Sequence, residues 1–328
     1  MKTLLGCVVL AGLSTVTHAA DAAFTDDGKS VYALGRPGLE RIDLATGEIA
    51  KVTPEGLDDI SAICRAGDGT FYLVTEAALW RWKPEAGPAL SVLKPLKEGQ
   101  SFEDVASDPK TGRILIIGRE DVPDDVSRCR LFFKPDPDHA MMRVRLRHLD
   151  AEITGAEFLP DGSLLFGAQG DLWHGVTSVE PSDEPGNAYG VITAYRYAPM
   201  GERYTYPGTP SETGVCAIAA GADHVFVHMH RIHGSGWGHL AWLKLPDPIT
   251  DGDFVTRNSV EDSIRVLQSV KKLEDNGSCS YLCASPDGKR VYFTSGIGEE
   301  RTHFLSDSAI ERGDPLPFRI GEKILPHD

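Results

Sequence analysis

Three observations predict an all-β fold. A short unit built on an Asp/Gly turn recurs six times along the chain. The run after each turn is rich in Val, Ile, Tyr and Phe, the composition of strands. No long segment carries the 3.6-residue apolar period of a helix; residues 257–272 could form a short one, but Val and Ser interrupt it. Self-similarity at a regular period marks repeat architectures. Four antiparallel strands per unit, repeated six times, is the pattern of a six-bladed β-propeller, with seven blades as the alternative count.

The units follow in chain order. They are FTDDGKSVYALG from Phe24, CRAGDGTFYLVT from Cys64, ASDPKTGRILIIG from Ala106, FLPDGSLLFGAQ from Phe158, AAGADHVFVHMH from Ala219 and CASPDGKRVYFTS from Cys283. An Asp-Gly pair tolerates the positive φ that a tight turn requires. Two further strands are expected after each turn-strand pair: LERIDLATG and EIAKVTP in the first unit, ALWRWKPEAG and PALSVLKP in the second, VITAYRYAP and ERYTYPG in the fourth. Extra length falls in expected loops such as TSVEPSDEPGN.

SPDGKRVYFTS resembles the repeat of TolB-like six-bladed propellers, whose blades carry an S-P-D-G-K signature before a β-rich run; FTDDGKSVYAL and FLPDGSLLFGA are weaker copies. The resemblance implies the architecture and little about activity, because the fold hosts lactonases, phytase-like esterases, lectins and protein-binding scaffolds alike.

Residues 1–20 read as a signal peptide: Lys2, an apolar run from Leu4 to Leu13, then small residues in THAADAA. Export to the periplasm or medium is therefore expected, with residues 21–328 as one propeller domain and no membrane insertion. Lys and Arg number 33 against 48 Asp and Glu, a net charge of −15 with no basic run. Nucleic acid is excluded as a partner on that balance, since phosphate binding needs clustered cations. A small molecule or a protein is the expected partner, and a monomer the expected state. Removal of Cys7 with the signal leaves five cysteines, an odd count; Cys216 with Cys279 is the pair to test for a bridge, against buried thiols throughout.

HVFVHMHRIHGSGWGH, residues 224–239, holds five of the eleven histidines. His228 and His230 share one strand face by the period of two, and an H-x-H pair can bind one metal. In the repeat alignment His228 matches the last packed position of its strand. His230 matches Arg36, Glu76, Arg119 and Gln169, where the chain leaves the strand at a rim; His233, Trp237 and His239 extend that rim as binding candidates. The alternative is a hairpin of hydrogen-bonded histidines with a packing Trp.

The innermost strands supply the other constellation. Glu103, Asp104 and Glu157 are expected near the central channel, with Glu157 aligned to Ala23, Ile63, Val105, Ile218 and Leu282. A lone carboxylate among apolar equivalents needs a cation, a metal or water, or else a raised pKa. Arg119 and Arg36 are possible ion-pair partners. The placement resembles that of six-bladed hydrolases whose central carboxylates hold Ca²⁺ or another divalent ion. That resemblance implies a metal set of Glu103, Asp104, Glu157, His228 and His230, with Ca or Zn as the ion and Glu157 or His230 as the catalytic acid or base. No nucleophile elbow, phosphate loop or C-x-x-C is present. Two functions follow: a non-catalytic propeller that binds a small ligand or protein through rim and channel mouth, or a divalent-metal-dependent hydrolase of lactonase, esterase or phytase-like type.

Overall fold

The computed structural model describes residues 21–35, 38–94, 98–120, 128–135, 140–147, 149, 152–181, 188–198, 213–231, 238–249, 281–295, 302–307 and 318–319. Every regular element among them is a β-strand, and together these strands form six antiparallel units. Strands β1 (Ala22–Phe24), β2 (Ser30–Leu34), β3 (Leu39–Asp43) and β4 (Ile49–Lys51) make the first unit. The second holds β5 (Ile60–Arg65), β6 (Phe71–Thr75), β7 (Ala78–Trp82) and β8 (Leu90–Leu93). The third holds β9 (Gln100–Ser107), β10 (Ile114–Glu120), β11 (Arg128–Lys134) and β12 (Met142–Arg147). The fourth holds β13 (Ile153–Phe158), β14 (Leu164–Ala168), β15 (Asp171–Pro181) and β16 (Ala188–Ala198). Three described strands form the fifth, β17 (Thr213–Ala220), β18 (His224–Arg231) and β19 (Gly238–Lys244), and the sixth is β20 (Leu282–Ala284), β21 (Arg290–Ser295), β22 (Thr302–Asp307) and β23 (Phe318–Arg319).

The first strands of successive units touch one another, and β20 touches β1, so the ring closes around an axis. Clusters of buried apolar side chains lie between neighbouring sheets, as blade packing requires. Phe24, Val31 and Ile42 of the first unit pack with Tyr281, Cys283 and Tyr292 of the sixth. Trp82 fills the gap between the first two units, edge-on to Tyr32 at 5.1 Å.

The Asp-Gly turns are built as the sequence predicts. Asp27 accepts from the Thr25 hydroxyl and the Lys29 amide; Asp287 does the same with Ser285 and Lys289. Asp68 and Asp161 accept the amides of Thr70 and Ser163. The glycines that follow, Gly28, Gly69, Gly162 and Gly288, have φ of 64°, 77°, 86° and 68°. These turns also stitch neighbours together. Arg65 pairs with Asp26 at 2.6 Å, Arg113 donates to the Gly162 carbonyl at 2.6 Å, and the Ala222 amide donates to the Gly288 carbonyl at 2.7 Å. Arg290 donates to the Gly28 carbonyl at 2.6 Å across the seam between the last unit and the first.

The structure revises two expectations. TSVEPSDEPGN is not all loop: residues 177–181 continue β15, which pairs with β16 along eleven-residue strands. The fourth strand of that unit is thus VITAYRYA, and ERYTYPG lies outside the described residues, as do residues 257–272. The lengthened β16 also pairs in parallel with β12, merging the third and fourth units into one eight-stranded sheet. The second revision concerns register. Cross-strand pairs place Glu157 level with Ala23, Cys64, Ala106, Ala219 and Cys283, because these six face Leu165, Tyr32, Tyr72, Leu115, Phe226 and Tyr292 respectively. Phe24 and Phe158 stand one position nearer the turn than Cys64, Ala106, Ala219 and Cys283, so four partners shift by one.

Candidate functional site

One level of the first strands therefore reads, in ring order, Ala23, Cys64, Ala106, Glu157, Ala219, Cys283. Alanines from alternate units separate two thiols and one carboxyl. A cavity of ≈ 480 Å³ lies on the axis, with Glu157, Cys64 and Cys283 in its wall. Phe24, Ile63, Phe158, Ile218 and Leu282 supply much of the remaining surface, and the turn residues Pro109, Pro160 and Ser285 border it. The cavity thus extends toward the Asp-Gly turns, at the end of the first strands remote from the expected rim.

Glu157 touches the channel space yet sits deep inside the ring. Its carboxyl makes no hydrogen bond or ion pair with any other described residue. Burial pushes its carboxyl pKa up to about 8, and the nearby Asp104 carboxylate adds to the shift. Burial also raises the Cys64 thiol, with Glu157 and Asp104 contributing in that order. The Cys283 thiol is raised by burial and then by Glu157. Both cysteines are free, and neither thiol is activated.

Glu103 and Asp104, adjacent in sequence, part company. Asp104 pairs with Ile117 in the ladder and Phe102 with Gly118, so Glu103 is the extra residue of a β-bulge. The Glu103 carboxylate takes the Arg119 guanidinium as its partner, while Asp104 is almost wholly buried and binds the Val105 amide. Ser61, Thr154 and Cys216 are skipped in the same way at the same place in their units. A bulge in the first strand recurs in four units, and no common side chain announces it.

His228 is buried on β18, level with Leu240, and His230 with Gly238. Met229 pairs with His239, so His239 belongs to the opposite face from His228 and His230. The side chains of His230 and His239 lie outside the described residues, as do Arg36, His233 and Trp237 altogether. Of the other rim candidates, Glu76 and Gln169 are exposed and Arg119 is committed to Glu103. Asp104 and Glu157 thus come together, and Glu103 turns to Arg119. Among the described residues no group of three His, Cys, Asp or Glu side chains is placed to hold a metal ion. The Cys216 side chain and Cys279 lie outside the described residues.

The structure adds a histidine that the sequence reading passed over. His174 is fully buried, with Nε2 2.8 Å from Ser163 Oγ and Nδ1 2.7 Å from the Tyr195 hydroxyl. Ser163 spends its proton on Asp161 at 2.6 Å, so Nε2 carries the imidazole proton and Tyr195 donates to Nδ1. The relay lies within the fourth unit, ties turn to strands and does not border the axial cavity.

No family model matches the chain, and no curated protein does. Among solved structures it is similar to a putative gluconolactonase, with TM-score 0.54 and 13% identity over 89% of each chain. It is also similar to the calcium-binding protein regucalcin from Agrobacterium tumefaciens, with TM-score 0.53 and 14% identity over 87% of this chain and 84% of that one. The β-propeller domain of Cps50 (Swd1) from Myceliophteria thermophila gives TM-score 0.50 and 12% identity over 93% and 86%. At such identities the likeness carries the fold alone: the chain is an all-β propeller.

Proposed function

We propose that the chain is an exported propeller that binds a small ligand in its axial cavity and does not transform it. The observation that carries this reading is Glu157, a carboxyl with no protein partner among the described residues, in the wall of a cavity of ≈ 480 Å³. That volume lies within the range of small-molecule pockets, about 300–1,000 Å³, and such pockets combine apolar walls with few convergent polar groups. The S-P-D-G-K-like turn of the sixth unit supports a TolB-like kinship, and residues 1–20 support export. A thermal-shift screen of small ligands against wild type and Glu157→Gln tests the reading. Ligands that raise the melting temperature of wild type, and do so less in the variant, are expected. A set of ligands that stabilises both equally, without touching the cavity thiols, would overturn it.

A metal-dependent hydrolase is the second reading, favoured by the nearness of Asp104 to Glu157 and by that alone. A divalent ion would relieve the repulsion of two carboxylates and polarise a bound oxygen. Under this reading the dialysed protein retains a stoichiometric divalent ion, or gains thermal stability on adding Ca²⁺ or Zn²⁺. Glu157→Gln then loses both.

A further inference from the structure

We propose, on the reading that the axial cavity is a ligand site, that its ligand is a small organic cation, an alkylammonium ion. Its charge faces Glu157 and its carbon body the apolar wall. The lining carries the argument: Glu157 stands in the cavity wall among Phe24, Ile63, Phe158, Ile218 and Leu282. Asp104 acts on Glu157, Glu157 and Asp104 act on Cys64, and Glu157 acts on Cys283. Every charged group in that set is an acid. Arg65 stands in the cavity wall but is paired with Asp26 at 2.6 Å. Arg119 is paired with Glu103. Asp287, at the turn border, accepts from Ser285 and Lys289, and Asp21 is buried just ahead of β1. β17 contributes Ile218 and Ala220 to the wall, neither of them ionisable. An anion entering this space meets the Glu157 carboxyl with Asp104 near it, and the arginine in the wall is already paired. A neutral ligand leaves the Glu157 carboxyl protonated and draws no charge interaction from it. A cation with an apolar body satisfies the carboxylate and buries its carbon at once.

Linkage fixes the pH dependence. A carboxyl that holds its proton must release it to serve as a counter-ion, so cation binding below the Glu157 midpoint expels a proton. The apparent affinity weakens about tenfold for each pH unit below that midpoint and levels off above it.

Three ring compounds of one size separate the possibilities: cyclohexylammonium, cyclohexanol and cyclohexanecarboxylate. Each is titrated calorimetrically into the full chain at pH 6, 7, 8 and 9, in two buffers of different ionisation enthalpy. In parallel, alkylation of Cys64 and Cys283 by iodoacetamide is read peptide by peptide. The expected result is that cyclohexylammonium alone binds, about fivefold tighter at pH 8 than at pH 7, releases a proton at pH 7 and protects both thiols. Glu157→Gln should weaken it at least tenfold and flatten its pH profile. The thiol protection needs no variant, so a Glu157→Gln protein that fails to fold leaves the test decisive. Protection by cyclohexanol or the carboxylate, with none by cyclohexylammonium, overturns the cation and leaves the cavity reading standing. Protection by none of the three at millimolar concentration also overturns the cation, and the wider screen then judges the cavity reading separately.

Discussion

A carboxyl enclosed by protein, with another acid near it, keeps its proton in the fold and loses it readily once the chain unfolds. Glu157 is raised from 4.5 to about 8. Between those values the folded state binds the extra proton, so stability falls as pH rises through the window and the loss is complete above about 8. Urea unfolding of wild type and Glu157→Gln from pH 5 to 9 checks this. The variant should lack a decline on the order of a few kcal/mol that wild type shows, and parallel profiles would refute it. The free thiols behave consistently: Cys64 and Cys283 should react with iodoacetamide far more slowly at pH 7 than a model thiol, since burial keeps them protonated. At this scale the sequence singled out Glu157 because a lone carboxyl interrupts an apolar repeat, and the structure sets that residue in the cavity wall. It could not pair Glu157 with Cys64 and Cys283, since that level depends on register, and register moves with one residue of turn length. Nor could it separate Glu103 from Asp104, because a bulge leaves no mark in side-chain chemistry.

Among the elements, turn chemistry was the most legible feature, and its signal is weakest in the fifth unit. The fifth unit turns through Gly221, Ala222 and Asp223 with no Asp-Gly pair and no glycine at positive φ. Its strands were readable only from the apolar run around Val225. The β14–β15 turn shows a local conflict. Gln169 and Gly170 both have positive φ, 53° and 83°, between the paired Ala168 and Asp171. Two such residues make a type I′ turn, which prefers Asn-Gly. Gln169→Asn should therefore stabilise the protein by about 0.5–1 kcal/mol, read as a higher urea midpoint at unchanged slope. Close approach sets the opposite outcome at Gly67. A methyl group there would lie 1.6 Å from the Pro109 carbonyl oxygen, in the backbone of the next unit. Gly67→Ala should cost about 2–3 kcal/mol by the same measurement.

For the whole molecule, the ring depends on contacts between units more than on any one sheet. Two arginines hold comparable seams and differ in what their loss would expose. Arg290 donates to a carbonyl, that of Gly28. Arg113 donates to the Gly162 carbonyl and also neutralises Asp108, whose side chain is 0% exposed. Arg113→Met strands a buried carboxylate and should cost about 3 kcal/mol or more, whereas Arg290→Met should cost about 1–2. Equal losses in paired unfolding curves would contradict this ranking. The seam between β20 and β1 has a further consequence. Among the described strands, each sheet is drawn from one stretch of polypeptide, and the last sheet borrows no strand from the first. Splicing the ends and opening the chain between β8 and β9 would cut no sheet in two. A circularly permuted protein should thus reach the same native ring, and a lineage could lengthen or shorten that ring one blade at a time without redesigning a closure.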